Sequence, residues 1–397
     1  MTSQAAFDFQ PRTRLVYGVN TVDRVGELAA ELGGKRILLV TDGGIVKAGH
    51  AQRVTDSLRK HAESVVIYDK VHENPTTKDV DLCLAVAREA KVDLIVGLGG
   101  GSSMDTAKGA NFLLTNGGQM KDYWGVGKAT KPMLPLIAIP TTAGTGSECQ
   151  CAALIADEET HNKMACLDPK AAAKVAILDP ALTVSMPPRV TAFTGIDAIA
   201  HAVETAVTKK RNPFSLMYSF GAFRLLVPSL PRVLSNPDDV EARGRMLLGA
   251  AYAGIAIENS MLGAAHSAAN PLTAHFNIVH GQAVGMMLPL IVRFNAAEPE
   301  ALQAYAELAS NAELAKLKDG KEQALEALIA RLDALLNLSK MPRTLGECGV
   351  TADDLSLLSE EAAKQWTANF NPRAITAADF KKLYEQGFER RSDGDQG

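Results

Sequence analysis

Short apolar runs alternate with helical periodicity through roughly the first 185 residues of the chain. Residues 36–40 (RILLV), 64–68 (SVVIY), 93–97 (DLIVG) and 134–139 (LPLIAI) are brief, aliphatic and followed by turn residues, so they read as strands. Residues 22–32, 49–61 and 78–90 between them carry helical spacing. Strands that alternate with helices build βαβ units and a mostly parallel sheet. At Pro187-Pro188 the pattern changes. Residues 190–230 are helical by periodicity with an interruption at Asn212-Pro213, and 242–257 and 296–338 are Ala/Leu-rich at helical spacing. Strand signals nearly vanish there. The expected organisation is an α/β dinucleotide-binding domain over residues 1–187, followed by an all-helical domain over 188–397. No internal repeat or low-complexity linker interrupts it.

Composition narrows the choices. The chain has 397 residues, 47% hydrophobic and 22% charged, which leaves ample material for two cores. Net charge is −4 and the cationic residues are dispersed, so no basic stripe offers itself to nucleic acid. Five cysteines without framework spacing point to reduced thiols and a cytoplasmic protein. Cys149 and Cys151 alternate with other residues and would share the buried face of a strand. The N-terminus has no apolar signal core, and no apolar run approaches the ~18 residues that span a membrane. The tail RRSDGDQG is polar and expected to fray.

Two loops have the chemistry of a nucleotide site. The strand at 93–97 runs into Gly99-Gly100-Gly101-Ser102-Ser103-Met104-Asp105 and then a helix-forming stretch. Glycines let the backbone approach a diphosphate closely, and the helix start offers free N–H groups to an anion. Ser102 or Ser103 can cap that helix. The spacing departs from G-x-G-x-x-G, because Gly97, Gly99 and Ser102 fill those places, so a tight turn without a ligand also fits. The segment Pro140-Thr141-Thr142-Ala143-Gly144-Thr145-Gly146-Ser147-Glu148 follows the next strand with open hydroxyl and backbone donors. Open parallel sheets bind ligands at the carboxyl ends of strands, which favours one ligand shared by both loops. Asp42 ends the strand RILLVTD, where a carboxylate can accept from an adenosine ribose and repel a 2′-phosphate, or simply open a turn.

A second constellation lies in the helical half. Asp197 and His201 are spaced i, i+4, which on a helix puts their Cβ atoms ~5–6 Å apart on one face. Glu204 follows on nearly the same face. His266 and His280 are 14 positions apart, or ~21 Å along a straight helix. They can meet one ion only if the chain bends, at Asn270-Pro271 or within 277–281. Three imidazoles and one carboxylate suit a divalent transition metal such as Fe²⁺ or Zn²⁺.

The segments GGGSSMD, PTTAGTGSE, GIDAIAHAVE and HSAANPLTAHFNIVHG, in that order, resemble the iron-containing (group III) alcohol dehydrogenases. The likeness covers nearly the whole chain, from RLVYGVNTVDRVGELAAELGG onward. It implies a dehydroquinate synthase-like fold. It also implies metal ligands at Asp197, His201, His266 and His280, all of the expected types, which argues against the family's metal-free relatives. The diphosphate loop falls on Gly100, Gly101 and Ser102, with Asp105 behind it. Thr141, Thr142 and Thr145 fall around the diphosphate and nicotinamide. Asp42 matches the acidic position associated with NAD preference, and Asn74 and Lys163 match positions along the cofactor cleft. The resemblance thus implies NAD- and metal-dependent hydride transfer with a small alcohol, aldehyde or ketone, in a homodimer or larger assembly. Its rival is a metal- and NAD-dependent lyase or cyclase on the related dehydroquinate-synthase scaffold, for which the surroundings of the ligands are too apolar. One departure stands out: where many members carry a second His, four residues after the third ligand, this chain has Asn270. His275 is nearby in sequence, and no general acid or base is assigned. Phe193, Met261 and Leu262 are expected as pocket walls or plain core.

Overall fold

The computed structural model describes residues 6–160 and 162–389; the tail expected to fray lies outside them. The chain divides into two compact units. Gln10–Met186 form one, and residues 187–389 together with 6–9 form the other. The grouping of 6–9 corrects the expectation that the N-terminus belongs with the α/β half. Phe9 stacks on Phe214 at 4.4 Å and Phe7 tilts against the same ring at 5.7 Å, so two aromatic side chains carry this segment onto the helices.

The α/β unit runs β1 (Arg14–Tyr17), α1 (Val25–Glu31), β2 (Arg36–Val40), α2 (Gly43–Lys47), α3 (His50–Leu58), β3 (Ser64–Tyr68), α4 (Thr77–Glu89), β4 (Leu94–Gly99), α5 (Gly101–Asn116), β5 (Gly125–Val126), β6 (Leu136–Pro140), β7 (Ala152–Ala156), β8 (Lys163–Leu167) and β9 (Val175–Leu178). Six strands form a parallel sheet in the order β1-β9-β6-β4-β2-β3. β5, β8 and β7 make a small second sheet. Both faces of the main sheet are covered, which is why β2 reads as an unbroken apolar run. Ile37 and Leu39 pack with Val25, Leu28, Val54 and Leu58 on one side. Leu38 and Val40 pack with Cys83, Ala87, Met104 and Ala107 on the other. Successive strands β2 and β3 lie to one side of the sheet and β4 returns to the other flank of β2. The chain therefore reverses its winding between β2 and β4, the crevice where open α/β sheets take their ligands.

β1, β7, β8 and β9 carried no strong signal, being short or mixed in polarity. Cys149 and Cys151 are buried but not on a strand. Cys149 closes a 3₁₀ turn, Ser147–Cys149, and Cys151 precedes β7.

The helical unit consists of α6 (Pro188–Thr205), α7 (Pro213–Ser235), α8 (Val240–Ser260), α9 (Ala264–Phe276), α10 (His280–Asn295), α11 (Pro299–Asn311), α12 (Lys321–Leu338), α13 (Leu355–Lys364) and α14 (Ala377–Glu389). Asn212 caps α7 through the backbone N–H groups of Phe214 and Ser215, which explains the interruption at Asn212-Pro213. No helix among the described residues is long and apolar enough to cross a membrane. α6 is the central element, packed against α7, α8 and α10. It is buried on nearly every side, yet carries Asp197, His201 and Glu204 inward. Charged groups in an apolar helix are costly unless something neutralises them.

α10 approaches α6 at Gly281, where a Cβ would stand 2.1 Å from the Phe193 carbonyl oxygen. Only glycine allows that approach. Gly281→Ala should push α10 off α6 and cost about 1–3 kcal/mol, the usual range for overpacking. Urea denaturation reads the loss; an unchanged midpoint would show that the helices separate freely there.

Candidate metal centre and dinucleotide loops

α6 presents Asp197 and His201 one turn apart, as the i, i+4 spacing requires. α9 and α10 supply the remaining imidazoles. α9 continues through Pro271 and ends at Phe276, where Asn277 takes the left-handed conformation with φ 52°. α10 then starts at His280 itself. The bend lies after the helix rather than at Asn270-Pro271, because the proline only removes one donor while Asn277 tolerates positive φ. This turn brings the two histidines back together, their rings 5.3 Å apart.

Three imidazoles converge on one oxygen of Asp197. Asp197 Oδ1 lies 3.5 Å from His266 Nε2, 3.6 Å from His201 Nε2 and 3.9 Å from His280 Nε2. One ligand atom from each of Asp197, His201 and His266 falls within 4.8 Å of the others. Ligands at ~2.1 Å around a tetrahedral ion sit about 3.4 Å from each other, so the observed separations fit a shared cation after small adjustments. Asp197 Oδ1 and His266 Nε2 are buried without a hydrogen-bond partner, a state that a bound cation would relieve. The donor set and the two buried lone pairs therefore fit a divalent metal. His280 is the most accessible of the four, its side chain 29% exposed, so the cluster opens to solvent on that side.

Glu204, two turns along α6 from Asp197, completes the arrangement. Its Oε2 accepts from His266 Nδ1, and its Oε1 accepts from the Ala265 backbone N–H at 2.7 Å. α9 begins at Gly263, which has no capping side chain of its own. Glu204 and Asn371, whose Oδ1 accepts from Ala264 N, supply the cap from elsewhere in the unit. With Glu204 on Nδ1, Nε2 of His266 faces Asp197, and its lone pair becomes available to a cation that displaces the second ring proton. Burial by itself would raise the Asp197 carboxyl, but the three imidazoles hold it well below the usual carboxylate range. Burial opposes protonation of His266, yet the charges of Glu204 and Asp197 outweigh it and raise the ring to about 9. Glu204 is the participant whose role the sequence reading missed. Its phase with Asp197 on α6 was the available signal.

Asn270, one turn after His266, donates through Nδ2 to Gln365 Oε1 at 3.0 Å. His275 does not join the cluster: it pairs with Glu361 of α13 at 2.7 Å and is 39% exposed. Phe193 is buried with the Arg189 guanidinium 5.1 Å from its ring centre, while Met261 and Leu262 are half-buried between α8 and α9.

In the α/β unit, the glycine loop leaves β4 and the threonine loop leaves β6, its neighbour. Gly99 has φ 144°, and a Cβ there would meet Ser103 Oγ at 2.4 Å, so no other residue fits. α5 starts at Gly101 with Gly100 as its N-cap and no side-chain bond to its first N–H groups. The expected cap from Ser102 or Ser103 is not made; Ser102 Oγ accepts from the Asn74 backbone N–H instead, at 3.3 Å. Asn74 is exposed with φ 53°. The loops touch: a Cβ on Gly100 would be 3.5 Å from Thr142 Cγ2, and one on Gly101 would be 2.9 Å from Thr145 Cγ2. Thr141 is buried, and its N–H donates to Gly99 O at 2.9 Å. Asp42 opens a turn, as one reading of it expected, and it lies beside the glycine loop. Its Oδ1 caps α2 through Gly44 N and Ile45 N, while Oδ2 is 3.3 Å from the Cβ position of Gly99. Asp105 is turned inward to Ser147 Oγ at 2.9 Å, and Lys163 is exposed at the start of β8.

A parallel sheet with anion-ready loops at its switch point, and a histidine–carboxylate cluster in a separate helical unit, define a nucleotide-linked metalloenzyme. Two family descriptions match the chain: "Iron-containing alcohol dehydrogenase" over residues 11–180 and "Fe-containing alcohol dehydrogenase family, C-terminal" over 191–388. The NAD-dependent methanol dehydrogenase of Bacillus methanolicus is 33% identical over 374 residues, 93% of this chain and 96% of that protein. The choline dehydrogenase of Bacillus subtilis (strain 168) is 36% identical over 385 residues, 96% and 94% of the two. The crystal structure of a 1,3-propanediol oxidoreductase superposes with a TM-score of 0.92 at 33% identity, covering 97% of this chain and all of that one. The chain belongs to the iron-containing alcohol dehydrogenase family, and it is an oxidoreductase acting on CH–OH groups. The lyase or cyclase alternative is not favoured.

In metal-free protein, raising the pH through about 9 takes the proton off His266, so the stability it contributes is present below the ordinary histidine value of 6.5 and lost as pH climbs past 9. Glu204→Gln should lower the His266 titration midpoint by roughly a unit or more, read by histidine-ring NMR. An unmoved midpoint would remove Glu204 as the ring's partner.

Proposed function

We propose that Asp197, His201, His266 and His280 hold a divalent ion, Fe²⁺ or Zn²⁺. In the same reading, Asp42, Asn74, Gly100, Gly101, Ser102, Asp105, Thr141, Thr142, Thr145 and Lys163 form the NAD site. The chain then interconverts a primary or secondary alcohol with its aldehyde or ketone. The observation that carries this reading is the convergence of three Nε2 atoms on Asp197 Oδ1 inside a buried helix. When bound, the ion supplies Lewis-acid stabilisation of charge on a substrate oxygen, and the dinucleotide accepts the hydride. Glu204 holds His266 in the tautomer that presents Nε2. Gly100 and Gly101 clear space for a diphosphate at the start of α5, whose first N–H groups favour an anion. Asp42 Oδ2 faces the loop and disfavours a phosphorylated ribose. Asp105 acts behind the loop, through Ser147.

The amide of Asn270, held by Gln365, can donate and accept but cannot shuttle a proton near neutral pH. No general base is assigned. The relatives are named for different alcohols, methanol and choline, and a panel of small alcohols and aldehydes ranks the substrates of this chain. We infer a homodimer or larger assembly and a cytoplasmic location, the latter from an odd number of cysteines without framework spacing.

His266→Ala should abolish metal retention, measured by elemental analysis, and alcohol-dependent NADH formation, while NADH binding persists. Full turnover in that variant would sink the metal assignment. Asp42→Gly should narrow the preference for NAD over NADP by about tenfold or more. Identical kinetics with both cofactors would leave Asp42 as the α2 cap alone.

A further inference from the structure

One buried cation joins the threonine loop to the helix that opens at the glycine loop. Lys108 lies two turns into α5 and is wholly inaccessible to solvent. Its Nζ donates to Ser147 O at 2.7 Å and to Ser147 Oγ, Gln150 O and Ala152 O at 2.9 Å each. An ammonium has three N–H groups, so every donor is used and one is shared. Ser147 Oγ in turn donates to Asp105 Oδ1 at 2.9 Å, and Asp105 lies on α5 one turn before Lys108. Two charges on one helix thus grip a single residue of the threonine loop, away from water.

The grip is relayed to Thr145. The Ser147 N–H donates to Thr145 Oγ1 at 3.3 Å, and Gln150, whose carbonyl Lys108 holds, donates through Nε2 to Thr145 O at 2.8 Å. Thr145 stands against Gly101, where α5 begins. The separation between the threonine hydroxyl and the first N–H groups of α5 is therefore set from below, by Lys108. An apolar residue of similar size would avoid burying an ammonium but would leave three carbonyls and the Ser147 hydroxyl oxygen without their donor.

We propose that Lys108 is a positioning residue for the dinucleotide. It never touches the cofactor but holds Thr145 at the distance from α5 that a diphosphate bridging the two loops requires. The inference rests on the reading of these loops as the NAD site. Full-length Lys108→Met, loaded with metal, tests it by NADH fluorescence titration, by KM for NAD against KM for the alcohol, and by metal content. NADH affinity should weaken by about tenfold or more, with KM for NAD rising alike, while metal content and KM for the alcohol stay within about twofold. A folded variant that binds NADH as wild type does would overturn the proposal, since a purely structural lysine would lower stability without altering affinity. If Lys108→Met does not fold, Ser147→Ala removes only the hydroxyl between Lys108 and Asp105. A loss of roughly three- to tenfold in NADH affinity supports the latch, and none overturns it. Wild-type protein that fails to bind NADH would instead remove the reading of the loops.

Discussion

A carboxylate in the middle of an apolar helix dominates the helical unit. Asp197 is almost wholly buried on α6, where an unpaired charge is expensive. Its Oδ1 is ringed by imidazoles from three helices. Keeping them there requires the turn at Asn277, the glycine contact between α10 and α6, and the carboxylate of Glu204 at the uncapped start of α9. Each feature costs stability by itself: a left-handed asparagine, a residue without a side chain, a second buried acid. Together they frame the ion site proposed above.

The α/β unit meets the opposite demand. The anion site proposed for it rests on backbone rather than on charge. The sheet reverses between β2 and β4, so the ends of those strands stand open beside β6. Gly99, Gly100 and Gly101 keep side chains out of that space. The charges in the region are displaced. Asp42 sits at the rim on the end of β2, and Lys108 and Asp105 lie underneath, gripping Ser147. A buried ammonium beneath an anion-ready loop serves geometry first, because its donors are all spent on the protein.

Much of this was legible in the amino-acid order. Strand β2 announced itself because both faces of a parallel sheet are covered, which leaves no polar position in Ile37–Val40 to break the run. Asp197 and His201 were readable as neighbours because helical spacing is local. The glycine and threonine loops were readable as turns at strand ends, because small residues let the backbone reverse there. The shorter strands β1, β7 and β9 were not, since runs of four or five residues acquire strand identity only from their partners.

What sequence alone determined were features within the reach of one turn: the alternation that makes a parallel sheet, the i, i+4 pair on α6, and the residue types needed for a metal and a diphosphate. Tertiary structure decided everything that depends on chain reversal. It put the bend after Phe276 rather than at Pro271, joined His280 to His266, gave Glu204 its imidazole, paired His275 with Glu361, and carried the N-terminal phenylalanines onto the helices. Lys108 belongs to the same class, its acceptors lying about forty residues downstream. The physical reason is common to all of them. Hydrogen-bonded turns and side-chain periodicity are set by near neighbours, whereas the burial of a charge is settled only when distant segments close around it.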